Sequence, residues 1–115
     1  MEKIYIGEIN GYWLWDIVFK GLDWYQAKDV CEALGDGWEL PSKEVMKLAW
    51  ENPYTRNILK SEEGWYWTGS EYSAAYACAQ FSYTGLQFTN YNKTNSSFNL
   101  VSPVYKEKVV ERPTF

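Results

Sequence analysis

Histidine is absent from this 115-residue chain, and arginine occurs only at Arg56 and Arg112. Without imidazole the chain lacks the usual general base near neutral pH, the partner in Ser-His and Cys-His nucleophile pairs, and the commonest metal ligand. Basic residues number 11 against 15 acidic ones, giving a formal charge of −4 and no cationic cluster for a nucleic acid to bind. No apolar run approaches the roughly 20 residues that span a bilayer, and Met1-Glu2-Lys3-Ile4 does not begin a signal peptide. Neither a membrane span nor export by that route is expected. Cysteine is sparse as well: Cys31 and Cys78 could pair, or stay reduced as small buried apolar residues, and without export the second reading is preferred.

What the chain has in quantity is aromatic surface. Seven Trp, ten Tyr and five Phe make the aromatic share 19%, within a hydrophobic share of 46%, far too apolar for a disordered chain. The length suits a single domain with one core over residues 1–105, followed by a charged tail or docking arm at 106–115.

Residues 4–8 and 12–19 read as strands joined by an Asn10-Gly11 turn, whose residues tolerate positive φ. Asp23 stands as an N-cap with Gln26 in capping-box position. A helix over 24–34 then buries Trp24, Ala27, Cys31 and Leu34 along one stripe and ends at Gly35. The stretch Gly37-Trp38-Glu39-Leu40-Pro41-Ser42-Lys43-Glu44 carries a tryptophan and a leucine to bury, a proline that keeps the preceding residue extended, and a serine to cap a second helix. That helix has an apolar face of Val45, Met46, Leu48, Ala49 and Trp50, and Asn52-Pro53 stops it. Residues 54–63 read as an irregular excursion with one helical turn. Strands follow at 65–70, 76–82, 86–89, 98–101 and 104–105, with Gly85 in a hairpin turn. The expected architecture is α+β: two helices packed on a mostly antiparallel twisted sheet, with the N- and C-terminal strands close together.

Four pieces, residues 27–34 with Cys31, residues 37–44, WYWTGSEY at 65–72 and NKTNSSFNLVSPVY at 92–105, follow one another in an order that resembles the C-type-lectin-like fold. Within that fold they resemble the bacterial and phage modules named after the Lcl C-terminal domain and the Fibrobacter major paralogous domain. The pieces span most of residues 22–105. Glu39 replaces the arginine common in the family's W-R-L-P, and Val104-Tyr105 lacks the R-C-V-R ending of many relatives. The resemblance implies that Trp38, Leu40, Pro41, Ser42, Trp65 and Trp67 form the structural motif. Relatives that use a disulfide tie the first helix to the final strand, which has no cysteine here. The Leu-Pro-Ser-x-Glu run is also similar to formylglycine-generating enzymes, but those are longer and use a cysteine pair near the chain end, so that activity does not carry over.

Residues 89–99 combine amides and hydroxyls with aromatic rings, the chemistry of sugar or protein recognition. The resemblance implies a ligand-facing surface in this region, with Tyr83, Gln87, Asn90, Tyr91, Asn92, Lys93 and Asn95 as candidate ligand- or partner-binding residues. The same segment also reads as a hairpin loop of ordinary turn formers. The sequons Asn92-Lys93-Thr94 and Asn95-Ser96-Ser97 mean little without secretion. The Glu-Pro-Asn and Trp-Asn-Asp ligand runs of calcium-dependent lectins are missing from the expected stretch, and Glu51-Asn52-Pro53 only scrambles the first. No metal and no cofactor are expected. Glu62-Glu63 and the scattered carboxylates read as solvated surface rather than a hydrolase pair, so no catalytic residue is assigned and the chain is expected not to be an enzyme.

These observations lead to an expected function as a non-catalytic recognition or structural module. By resemblance it is a phage virion-associated protein, a decoration or fibre-associated module that contacts host-surface glycan or protein. The alternative is an intracellular phage protein that binds and inhibits a host protein, its acidic charge steering it to a basic partner. The expected location is the virion or the bacterial cytoplasm, with a protein or glycan partner and no nucleic acid.

Overall fold

The computed structural model describes residues 5–9, 12–15, 18–35, 37–97 and 99–106; the expected Asn10-Gly11 turn and the tail beyond Lys106 lie outside them. Helix starts follow the caps. Asp23 Oδ1 accepts from the Gln26 amide at 2.9 Å and Gln26 Oε1 accepts from the Asp23 amide at 3.0 Å, so α1 (Trp24–Ala33) opens on the reciprocal box. It buries Trp24, Ala27 and Cys31, and Leu34 serves as its C-cap. Ser42 Oγ accepts from the Val45 amide at 3.2 Å and opens α2 (Lys43–Glu51), which buries Val45, Met46 and Ala49 while leaving Leu48 and Trp50 half-buried.

A third helix, α3 (Pro53–Leu59), stands where an irregular excursion with one helical turn was expected, so the helices among the described residues number three rather than two. Asn52 is the cause. Its Oδ1 accepts from the Tyr54 amide at 2.9 Å, and Pro53 takes a first-turn position where it has no amide to lose. The proline that stops α2 therefore starts α3. Arg56 turns back, Nε donating to the Trp50 carbonyl at 2.6 Å and Nη2 to that of Glu51 at 2.9 Å, which satisfies the last carbonyls of α2.

In chain order the strands are β1 (Tyr5–Ile9), β2 (Tyr12–Trp15), β3 (Phe19–Lys20), β4 (Trp38–Glu39), β5 (Trp65–Glu71), β6 (Tyr76–Phe81), β7 (Gln87–Asn92), β8 (Asn99–Val101) and β9 (Val104–Lys106). They form two sheets, ordered β1-β2-β9-β4 and β3-β8-β5-β6-β7, antiparallel except for the β5–β8 pair. The molecule is thus α+β and mostly antiparallel, with strands from near both chain ends side by side in the first sheet. Two expectations are corrected. The run at 12–19 divides between the sheets as β2 and β3, and β7 continues through Asn92 where a loop was expected from Thr89.

Side-chain alternation gives the second sheet two packed faces. Tyr66 and Leu100 join Leu14, Val45, Met46, Ala49, Leu59 and Val104 in one cluster, while Trp67, Ala77, Ala79 and Val101 join Trp24, Ala27, Cys31 and Leu40 in the other. The bend at Pro41-Ser42 sits between them and is strapped to β5. The Gly69 amide donates to the Pro41 carbonyl at 2.9 Å, and the Lys43 amide donates to Ser70 Oγ at 3.0 Å. Trp38, Leu40, Pro41 and Trp67 are buried. Trp65 is not: it is half-buried, because one edge of its face of the sheet is left open. Among the described residues no helix is long and apolar enough to cross a membrane.

Candidate functional site

The open part of that face is an aromatic platform, built by a spacing rule and an exception to it. Trp65 and Trp67 are two apart on β5 and share a face. On β7 the rings are three apart, at Phe88 and Tyr91, and regular alternation would send them to opposite sides. A β-bulge prevents this: Ala77 pairs with Tyr91 and Ala79 with Phe88, so Thr89 and Asn90 together oppose Cys78. Both rings then face Trp65. Its centroid lies 5.1 Å from Phe88, 5.1 Å from Phe81 and 5.6 Å from Tyr91. Ala77 and Ala79 leave room above β6, which lets the Tyr91 ring reach across to meet Trp67 edge-on at 5.2 Å.

Beside these rings is a concavity of about 390 Å³ lined by Glu63, Gly64, Trp65, Phe81 and Tyr91. Glu63 is exposed, and Phe88 is 47% exposed. Behind the rings, Asn99 neighbours Trp65 in the parallel β5–β8 pair and is fully buried. Its amide stands next to the Tyr91 hydroxyl, an interaction that favours the phenolate although burial pushes the Tyr91 pKa up on balance. Neither amide atom of Asn99 makes a well-formed hydrogen bond to the described residues.

The residues singled out from sequence divide between this platform and the scaffold. Tyr83, 45% exposed in the β6–β7 turn, extends the platform with its ring 5.8 Å from Phe81. Tyr91 belongs to it as well, while also closing the core beneath. Asn90 is exposed within the bulge. Gln87 points to the other face, where Nε2 donates to the Lys43 carbonyl at 2.7 Å and to Gln80 Oε1 at 2.8 Å, tying β7 to α2. Asn92 and Asn95 shape the turn that follows. Asn92 Oδ1 accepts from the Thr94 amide at 2.9 Å, and Asn95 Oδ1 accepts from the Ser97 amide at 3.2 Å. Phe98 lies outside the described residues.

Lys93 is turned inward, 2% exposed, although it sits in a polar run. Its Nζ meets Glu71 Oε1 at 2.6 Å, donates to the Ala74 carbonyl at 3.1 Å and lies 4.3 Å from the centre of the Trp24 ring. The burial is tolerable because a carboxylate, a carbonyl and a ring face all meet the ammonium. Glu71 is held below the ordinary carboxylate range by its hydrogen bond to, and the charge of, Lys93. Glu71 also lines a second concavity, of about 370 Å³, with Trp24, Lys28, Glu32, Trp38 and Glu39.

The thiols are poorly placed for nucleophilic work. Cys31 and Cys78 are both free and buried. Burial, with Glu32 and Glu39 nearby, pushes Cys31 up to about 12, and burial raises Cys78 also, away from the depressed values of reactive cysteines. Among the described residues no three His, Cys, Asp or Glu side chains gather as metal ligands would. Sequence reasoning missed Glu63, Phe81 and Phe88. The rings were open to inference, since they flank the turn at Gly85 and a hairpin brings such residues together; Glu63 lies outside any strand and gave no such signal. No family model and no curated protein matches this chain.

Proposed function

We propose that this chain is a non-catalytic recognition module with a C-type-lectin-like body, similar to bacterial and phage modules. The observation that carries the proposal is the platform of Trp65, Phe81, Phe88 and Tyr91, part-exposed on rigid strands. Large rings left open on a monomer mark a surface meant to be covered. They supply contact area at low entropic cost. The pairing of near-terminal strands, and the Trp38–Ser42 bend strapped to a central strand, support the lectin-like body.

As a virion decoration or fibre-associated protein, the module presents this platform to host-surface glycan or protein. The test is binding of the purified chain to glycan arrays, whole host cells and virion proteins, with Phe88→Ala as control. Binding that Phe88→Ala weakens about tenfold is expected. A chain that binds none of the three, or whose binding ignores Phe88, sinks the proposal. The formal charge of −4 favours a second reading, inhibition of a basic host protein inside the cell. An association rate that falls steeply with ionic strength separates that role from the first.

A further inference from the structure

We infer that the concavity beside the platform is a cage for a quaternary ammonium group. This rests on the recognition reading and names the ligand class it takes. Glu63, Trp65, Phe81 and Tyr91 line one cavity of about 390 Å³, within the small-molecule scale of roughly 300–1,000 Å³. Its three rings come from three neighbouring strands, β5, β6 and β7. Trp65 stands 5.1 Å from Phe81 at 43° and 5.6 Å from Tyr91 at 36°, so the rings are canted walls rather than a flat stack. All three are half-buried, and the exposed Glu63 sets a carboxylate at the rim. An aromatic face attracts a cation, most strongly for Trp, and the attraction grows as water is excluded. These rings are unclaimed. The described cations that lie over rings are Lys28, Arg56 and Lys93, and they sit on Trp24, Tyr25 and Trp50. The ion pairs among the described residues use Glu62 and Glu71, leaving Glu63 without one. The net charge of −4 adds to the pull on a cation.

The lining also selects among cations. A metal ion needs several oxygen ligands, and one carboxylate does not supply them. Ammonium and guanidinium groups carry several N–H donors, each costly to bury without an acceptor. A quaternary ammonium has no donor to satisfy: its methyl groups pack on the rings while its charge faces Glu63. An uncharged apolar side chain would gain from the rings but has no use for the carboxylate.

The test titrates the intact chain at millimolar concentration with choline, trimethyl-lysine amide, unmodified lysine amide, and the uncharged analogue of choline in which carbon replaces nitrogen. Tryptophan indole and tyrosine resonances report binding. Choline or trimethyl-lysine is expected to shift Trp65 and Tyr91, with the uncharged analogue and unmodified lysine at least about tenfold weaker. Whichever quaternary ligand binds tighter tells whether the group comes from a choline-bearing surface or a methylated protein. Glu63→Gln swaps the charge for an amide of the same shape at an exposed position, and weakens the quaternary ligand by about tenfold. The inference is overturned if neither quaternary ligand shifts Trp65 or Tyr91, if the uncharged analogue or lysine binds as well, or if Glu63→Gln binds as wild type does. If the chain then still binds cells or virion proteins through Phe88, the recognition proposal stands and only its ligand class falls. If it binds neither, both fall.

Discussion

Gly85→Ala probes the joint that aims the platform. Gly85 has φ +76°, and its amide donates to the Phe81 carbonyl at 2.9 Å to close the β6–β7 turn. A Cβ there would lie 2.6 Å from Trp50 Cδ2 and 2.9 Å from Cε2 and Cε3. The ring cannot retreat freely, since Arg56 stacks 4.7 Å from its centre on the α2–α3 corner. Left-handed backbone costs an L-residue about 1–2 kcal/mol, and overpacking costs about 1–3 kcal/mol more. The sum, about 2–5 kcal/mol, lowers the melting temperature of a domain this size by roughly 6–25 °C. Urea and thermal unfolding followed by near-UV circular dichroism would measure it. In a Trp50→Leu background the clash is relieved but the backbone cost stays, so Gly85→Ala should then cost only about 1–2 kcal/mol. A single variant melting within about 1 °C of wild type, or no relief in the double variant, would refute the account.

Trp38→Ala should cost about 3–5 kcal/mol, because the ring is 5% exposed and lies 5.6 Å from Tyr105; an unchanged urea midpoint would remove it from the core. Burial raises the Cys31 thiol from 9.0 to about 12, so its share of stability is complete below pH 9.0 and drains away as pH rises toward 12. Cys31→Ala should flatten alkaline unfolding over that window, and neither cysteine should react with a thiol reagent at pH near 8 until the protein unfolds. Glu71 has the opposite sign. Its carboxyl is lowered from 4.5 by Lys93, so its contribution is present above that value and is lost as pH falls through the depressed one. Glu71→Gln should remove part of the acid dependence of the urea midpoint, and an unchanged acid limb would show that the pair does not couple to folding.

Much of the fold was legible where instructions are local. Asp23 with Gln26, Ser42 after Pro41, and Gly85 each act within a few residues, and each element begins or turns where they stand. Misreadings arise where a partner is distant or a residue serves two elements. β4 exists only because Trp38 and Glu39 meet Tyr105 and Val104 from the far end of the chain. Asn52 caps the end of one helix and the start of the next, so Pro53 looked like a stop and nothing more. At the candidate site, the polarity of residues 89–99 suggested a loop, yet the bulge that makes Thr89–Asn92 a strand leaves no periodic trace. Lys93 turned inward because Glu71 waits opposite, a fact held in the pairing of β6 with its neighbours on both sides.

Among the described residues Gln87–Asn92 is an outer strand without a single charge or proline, and its Phe88, Thr89 and Tyr91 favour extended backbone. Such a border invites another copy to dock on it and begin a fibre. What discourages this is Asn90, the surplus residue that bends the border out of line. Excising it would restore plain alternation and keep Phe88 and Tyr91 on the same side, while straightening the rim into a template for growth. Protection against edge-to-edge pairing then comes from shape where other proteins use lysines, and shortening the strand by one residue trades that guard for tidiness.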